Sequence, residues 1–360
     1  MPNIKNILIV AKSAGMLVRY AANAGYTPLV IDCYSDVDTE NLSIECVCIS
    51  SLSLEDVETA FNFLANKYTI SHLVYGSGLE RYINTLEFLG QKLNILGNTL
   101  HVYRLVQNKS CFFLKLNCLK IPYPDTCFQA PNTRDTWLVK PLQGEGGLAI
   151  KKFNGQVEKP DSCYWQKYIP GMSMSVLFIA TETEYDIIGF NKQLSTQIKD
   201  NIFVFSGVIT QPEINKNIIK TVATCLDKLV FEVGLKGINS LDFIVKDEDC
   251  YILEVNARPS ASMQLYDDEL LSEHIKCFYA DKLKPPSISN TYRAYKIIYA
   301  EEKIVIKKVK WPIWITDIPE TASIIHIGMP ICSIIADGKN EQHVFNNIQL
   351  KQQQLSKLLR

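Results

Sequence analysis

Tyr251-Ile252-Leu253-Glu254-Val255-Asn256-Ala257-Arg258 alternates apolar and polar residues, the pattern of a half-buried strand. A period of two places Ile252, Glu254 and Asn256 on one face and Tyr251, Leu253 and Val255 on the other. A carboxylate and an amide side by side are poor core material and good ligands for a hard cation. Upstream, Ile238-Asn239-Ser240-Leu241-Asp242-Phe243-Ile244-Val245-Lys246 is a second β-rich run, and Asp247-Glu248-Asp249 between the two is an acidic turn of the kind that joins hairpins. Pairing Lys246 with Cys250 sets Asp242 opposite Glu254. Like charges directly opposed across a ladder are destabilising, and a magnesium ion between them removes that penalty. Magnesium takes octahedral oxygen ligands, usually one or two carboxylates completed by substrate phosphates. Either acid alone reads as an ordinary solvent-facing residue. The two together, followed by Asn256 and Arg258, read as a metal clamp with room for a nucleotide.

The rest of the chain sets bounds. Its 360 residues suffice for two or three domains, and 47% hydrophobic with 21% charged content is globular rather than disordered. With 37 basic and 38 acidic residues the formal net charge is −1, which offers no global field to nucleic acid or anionic lipid. The 11 cysteines show no CxxC spacing, and Met1-Pro2-Asn3-Ile4-Lys5-Asn6 carries no signal-peptide pattern. Reduced thiols in a cytoplasmic protein are expected. The longest apolar stretch, residues 322–336, is broken by His326, Gly328 and Pro330, so no membrane span is expected.

In order, Ile7-Leu8-Ile9-Val10 is a short buried strand, Ala11-Lys12-Ser13-Ala14-Gly15 a loop, residues 16–23 a helix and residues 27–32 the next strand. This βαβ start predicts a parallel sheet. One glycine where a dinucleotide fingerprint needs three gives no support to a nicotinamide site. Asp32, Asp36 and Asp38 read as a solvated loop. His72-Leu73-Val74-Tyr75 is a strand ending in Gly76-Ser77-Gly78-Leu79-Glu80-Arg81, and ligands of open α/β sheets bind beyond such strand ends. A helix over residues 99–119 carries Lys109, which on its own reads as a solvated helix lysine. Trp137-Leu138-Val139-Lys140-Pro141 is a strand, and Leu142-Gln143-Gly144-Glu145-Gly146-Gly147 after it is a glycine-rich turn whose N–H groups suit phosphate oxygens. No Gly-Lys-Ser/Thr follows, so it is not a Walker loop. Further strands are expected over 174–180, 185–192 and 203–209. Pro212-Glu213 should cap a helix over 218–233, and Lys284-Pro285-Pro286 reads as a linker. Beyond it lie strand-like runs and a terminal helix from Asn340.

Lys109, Val139-Lys140-Pro141, the glycine turn, Gln166-Lys167-Tyr168-Ile169-Pro170-Gly171, Leu241-Asp242-Phe243 and Leu253-Glu254-Val255-Asn256-Ala257-Arg258 together resemble the ATP-grasp superfamily, whose motifs occur in this order. The resemblance implies an α/β (α+β grasp) architecture. Its parts are an N-terminal parallel α/β pre-ATP-grasp domain (1–98), an ATP-grasp domain (99–285) with a mobile lid near 123–164, and a small C-terminal β-rich appendage (286–360). It also implies roles. Lys109 and Lys140 would contact ATP phosphates, and Gly144, Gly146 and Gly147 would fold over the triphosphate. Adenine would meet the Gln166 side chain, the backbone of Lys167 and Tyr168, and Ile169. Asp242, Glu254 and Asn256 would hold Mg2+, with Mn2+ as a substitute. Gln166 and Asp242 stand where glutamate is common in the superfamily.

Within the superfamily the chain looks nearest to carboligase-like proteins related to biotin carboxylase, on Ser13-Ala14, Gly76-Ser77-Gly78 and Gly189-Phe190-Asn191-Lys192-Gln193. Some of these are linked to one-carbon cofactor synthesis of the tetrahydromethanopterin or methanofuran type. Such enzymes typically phosphorylate a carboxylate and let an amine displace the phosphate. The expected function is therefore a carboxylate–amine (or –thiol) ligase acting through an acyl phosphate on small-molecule carboxylate and amine substrates. Arg258 and Lys140 would act in catalysis, and Gly76, Ser77, Gly78, Glu80 and Arg81 would meet the substrate. A bicarbonate-activating carboxylase and a non-catalytic nucleotide-binding protein are the alternatives. Nucleic acid and membrane are not expected partners, and the sequence leaves room for a homodimer.

Overall fold

Short apolar runs, each followed by an amphipathic helix, build a parallel sheet at the N-terminal end. Its strands stand in the order Glu45–Cys48, Thr27–Asp32, Asn6–Val10, His72–Tyr75, Asn94–Ile95. The computed structural model describes residues 5–132, 135–155, 160–280, 282–284 and 291–359. Met1 to Ile4 of the N-terminal reading, and Pro285 and Pro286 of the linker reading, lie outside them. Ile7, Leu8, Ile9 and Val10 are all fully buried. Leu8 and Val10 pack into one core, Ile7 and Ile9 into another, so the strand is apolar throughout rather than alternating. The chain leaves Asn6–Val10 toward Thr27–Asp32 on one side and returns to His72–Tyr75 on the other. Ligands of open α/β sheets bind in a crevice at such a reversal, which here lies beyond Val10 and Tyr75, where loops 11–14 and 76–78 meet.

A larger antiparallel sheet runs Asp249–Asn256, Gly237–Lys246, Met172–Ala180, Tyr185–Ile198, Asn201–Thr210, Tyr292–Tyr299, Pro330–Gly338, Ile315–Thr316. The C-terminal segment thus adds its strands to the same sheet that holds the Asp242–Glu254 hairpin. A four-stranded sheet, Thr126–Cys127, Cys163–Lys167, Trp137–Pro141, Lys151–Lys152, forms the region read as a lid.

Several local expectations change. The helix expected over 99–119 is two helices, Leu100–Gln107 and Lys109–Cys118. Asn108 leaves helical geometry and its side chain accepts the Cys111 N–H, an N-cap that restarts the helix at Lys109. Lys216–Val233 is capped by Asn215, not by Pro212-Glu213, and ends at Gly234 in the left-handed region. The aspartates after the second strand are not a solvated loop. Asp32 is fully buried and accepts N–H groups from Ala14, Tyr34 and Ser35. Asp38 accepts the N–H groups of Asp317 and Ile318 at 3.1 and 2.8 Å, tying the N-terminal sheet's loop to the C-terminal segment. Asp36 is pushed up to about 8, first by burial and then by Asp317, Asp32 and Asp38. Among the described residues no helix is long and apolar enough to cross a membrane.

Candidate active site

The hairpin sets Asp242 opposite Glu254, but not by the simple register. Lys246 pairs with Asp249, Val245 with Cys250 and Phe243 with Ile252, and a bulge between Phe243 and Asp242 then brings Asp242 to Glu254. Leu253 is the extra residue. The turn is correspondingly tight, with Asp247 at φ 57°. The bulge also corrects the face assignment. Ile252 joins Val255 in the core beside Phe243 and Leu241, while Glu254 and Asn256 stay with Asp242 and Ser240 on the opposite face. One extra residue lets the strand satisfy the core on both sides of the acids.

Around the two carboxylates the cleft is cationic. Lys109, 8% exposed and at the start of its helix, reaches Glu254 at 3.1 Å, so it is not the solvated lysine its neighbours suggest. Lys140 donates to Gln166 Oε1 at 2.7 Å. Withdrawal from water pushes the Lys140 ammonium down to about 8, against the pull of Glu254. Burial and the facing Glu254 raise Asp242. Burial works to raise Glu254 too, but Lys109, Lys140 and Arg258 outweigh it and hold that carboxyl below its usual range. Glu254 keeps 43% side-chain exposure, so it lies on the floor of an open cleft rather than sealed in the core. The Asn256 amide donates to Asp242 at 3.3 Å. Among the described residues no cluster of three or more His, Cys, Asp or Glu side chains forms a complete metal cage. Two carboxylates and an amide suit instead a magnesium ion completed by phosphate oxygens.

Arg258, just past the Asp249–Asn256 strand, reaches the N-terminal sheet's loops. Its Nε donates to Glu80 Oε1 at 2.7 Å, and Glu80 Oε2 accepts the Gly78 N–H at 2.6 Å. Glu80 is therefore committed to positioning Arg258 and the glycine loop. The side chains of Arg258 and Glu80 are only 12% and 8% exposed. Asn98 bonds Asn239 and the Ala257 carbonyl at 2.7 and 3.0 Å, and the Tyr75 hydroxyl donates to Ala257 O at 3.2 Å. These bonds fix the backbone immediately before Arg258 to the N-terminal sheet. Gly78 has φ 101° and packs on Lys12, where a Cβ would come within 2.7 Å of the lysine Cβ. Gly76 and Ser77 line the same turn, with Ser77 O accepting the Lys12 N–H at 2.7 Å.

The glycine turn folds down onto the antiparallel sheet. Gly146 O accepts the Phe205 N–H at 2.8 Å, and Gly147 lies against Phe203 so closely that a Cβ would meet its carbonyl oxygen at 1.9 Å. Gly144 packs on Pro141. The residues expected beside adenine lie at the end of the Cys163–Lys167 strand and just beyond it. The Lys167 and Tyr168 N–H groups donate to Asp125 and Thr136 carbonyls, and the Gln166 side chain is engaged by Lys140 and Thr126. Ile169 is half-buried beside them.

Three residues of the cleft escaped the sequence reading. Lys12, in the loop after the first strand, is ion-paired to Glu145 of the glycine turn. Only its place at a sheet reversal could have marked it. The Tyr103 hydroxyl is fully buried without a hydrogen-bond partner among the described residues, its ring edge-on to Tyr75 at 5.6 Å. A tyrosine on an amphipathic helix carries no such signal.

Residues 106–262 match the ATP-grasp domain family. An uncharacterized protein of Methanocaldococcus jannaschii is 27% identical over 273 residues, covering 71% of this chain and 67% of that protein. Among solved structures, a biotin carboxylase β,γ-ATP complex from Campylobacter jejuni superposes with a TM-score of 0.74 at 15% identity, over 97% of this chain and 90% of its own. L-amino acid ligase from Bacillus licheniformis gives 0.70 at 13% identity, over 99% and 98%. The likeness to these two structures is one of fold.

Proposed function

We propose that this chain, which carries an ATP-grasp domain over residues 106–262, is an ATP-dependent ligase that activates a small-molecule carboxylate as an acyl phosphate and passes the acyl group to an amine. The observation that carries this reading is the convergence of Asp242, Glu254, Asn256, Lys109 and Lys140 in one cleft, with Arg258 leading from it to Glu80 in the N-terminal crevice. Lys109 and Lys140 neutralise the ATP phosphates, and Lys109 exchanges Glu254 for phosphate oxygens. Asp242, Glu254 and Asn256 hold Mg2+, which when bound spreads the charge developing on the transferred phosphoryl group. Arg258 steers the acid. The acid oxygen attacks the γ-phosphorus, the bond to the leaving oxygen breaks, and ADP departs with the electron pair. The amine nitrogen then attacks the acyl carbon, phosphate leaves, and the nitrogen loses a proton. No side-chain nucleophile is needed, because positioning and charge neutralisation supply the catalysis. The names of the solved neighbours, a biotin carboxylase and an L-amino acid ligase, support this class and define its competitor.

The test is ADP release over a panel of carboxylic acids with hydroxylamine present. An acid that raises ADP release and yields a hydroxamate supports the ligase. Stimulation by bicarbonate alone, with no hydroxamate from any acid, replaces it with a carboxylase.

Lys140 supplies a pH signature. Its depressed pKa means that ATP affinity falls as pH rises through about 8, where the free protein loses the ammonium. Lys140→Ala raises the KM for ATP about 10-fold or more at pH 7 and abolishes that limb. Its unliganded melting temperature stays within a few degrees. A group whose folded pKa lies below its unfolded value costs most stability below about 8, so removing it at pH 7 relieves a penalty. A large fall in melting temperature with normal ATP affinity would make Lys140 structural.

The lid sheet and glycine turn close over phosphates and exclude water. Trypsin has exposed targets there at Lys151 and Lys152. Cleavage in this region comes first, and ATP with magnesium slows it. Equal rates with and without nucleotide would rule out closure.

A further inference from the structure

We propose that the activated acid carries a second anionic group, bound by Lys12 with Arg81 at the reversal point of the parallel sheet, and that Glu145 occupies that place when no acid is bound. This rests on the reading that the chain activates a carboxylate.

Lys12 is the second residue beyond the first strand. Its N–H bonds Ser77 O at 2.7 Å and its carbonyl accepts the Cys33 N–H at 3.2 Å, so its backbone is pinned between the loops that edge the crevice. Its ammonium does not turn away into solvent but meets the Glu145 carboxylate, 133 residues along the chain. The two side chains are 40% and 21% exposed, so the pair lies where a small molecule can reach it. Arg81, at the end of the short turn Leu79–Arg81 that follows Gly78, is exposed and close enough to disfavour the Lys12 charge, and it makes no ion pair among the described residues. Two cations against one carboxylate leave a positive excess, in the crevice into which Arg258 projects.

The Glu145 carboxylate, at the end of a partly exposed side chain, is well placed to be exchanged. Gly146 and Gly147, at φ 59° and 71°, seat the turn's backbone on the Asn201–Thr210 strand, so Glu145 leaves Lys12 by rotating its own side chain and disturbs no regular element. An incoming anion would replace one carboxylate by another on Lys12 and recruit Arg81, which Glu145 leaves unused. Arg258 would then take the carboxyl to be activated, and Lys12 with Arg81 the far end of the same molecule.

The experiment compares glutarate and 4-phosphonobutyrate, which carry a carboxylate or a phosphonate at the far end, with butyrate, which carries neither. Acid-stimulated ADP release should show a KM about 10-fold or more lower for at least one dianion than for butyrate. The better dianion tells which anion the crevice prefers. Lys12→Met should remove that advantage by raising the dianion KM alone, Lys12→Arg should keep most of it, and Glu145→Gln should lower the dianion KM several-fold. Equal KM values for butyrate and both dianions, or a Lys12→Met effect on all acids alike, would overturn the proposal. If no acid stimulates ADP release, it is the ligase reading that fails, and lid cleavage decides this inference separately. Without ATP, a dianion should speed trypsin cleavage at Lys151 and Lys152 of the parent protein and not of Lys12→Met. An unchanged rate in the parent would reject displacement of Glu145.

Discussion

Glu254→Gln is expected to lower magnesium-dependent ATP turnover roughly 100-fold or more while leaving a folded protein. The amide keeps the shape of the side chain but offers one neutral oxygen where the cation needs a charged one. Folding should survive because two effects on the apo protein oppose each other. The substitution removes the 3.1 Å pair with Lys109 and also the like charge facing Asp242. Steady-state ADP production over a magnesium titration, with circular dichroism on the same samples, checks both halves. Parent-like turnover would mean that the hairpin acids hold no catalytic metal.

Arg258→Lys should cut hydroxamate formation roughly 10- to 100-fold with little change in the KM for ATP. Lysine keeps a positive charge against Glu80, so the buried partner is not stranded and the fold is spared the penalty of a broken buried pair. What it loses is the planar fork that can hold Glu80 through Nε and an incoming carboxylate through its terminal nitrogens. If trapping and ATP affinity fall together, Arg258 serves the nucleotide, and the acid must be held elsewhere.

The hairpin acids were legible because alternation and a turn are local signals. Even so, the register came out through a bulge at Leu253 that no pattern announces, because a bulge is chosen by packing on both faces of the sheet. Lys109 was legible as a motif residue, yet its burial depends on the helix break at Asn108, where the Asn side chain outcompetes helical geometry. The aspartates at 32, 36 and 38 look solvated because their partners, Ala14 and the backbone at 317–318, are contributed by folding rather than by neighbours in sequence. Lys12 and Glu145 stood in plain view, but a pair separated by 133 residues has no period to betray it.

The seating of the C-terminal strands inside the large sheet bears on synthesis. Tyr292–Tyr299 pairs with Asn201–Thr210 on one side and Pro330–Gly338 on the other. A nascent chain still lacking those residues holds every residue of the cleft around Asp242 and Glu254, but it presents the Asn201–Thr210 backbone as an open edge. Open edges recruit strands from other molecules. The interval between making residue 210 and residue 338 is therefore when this protein is most exposed to misassembly. Chains arrested or clipped there should aggregate instead of persisting as soluble fragments.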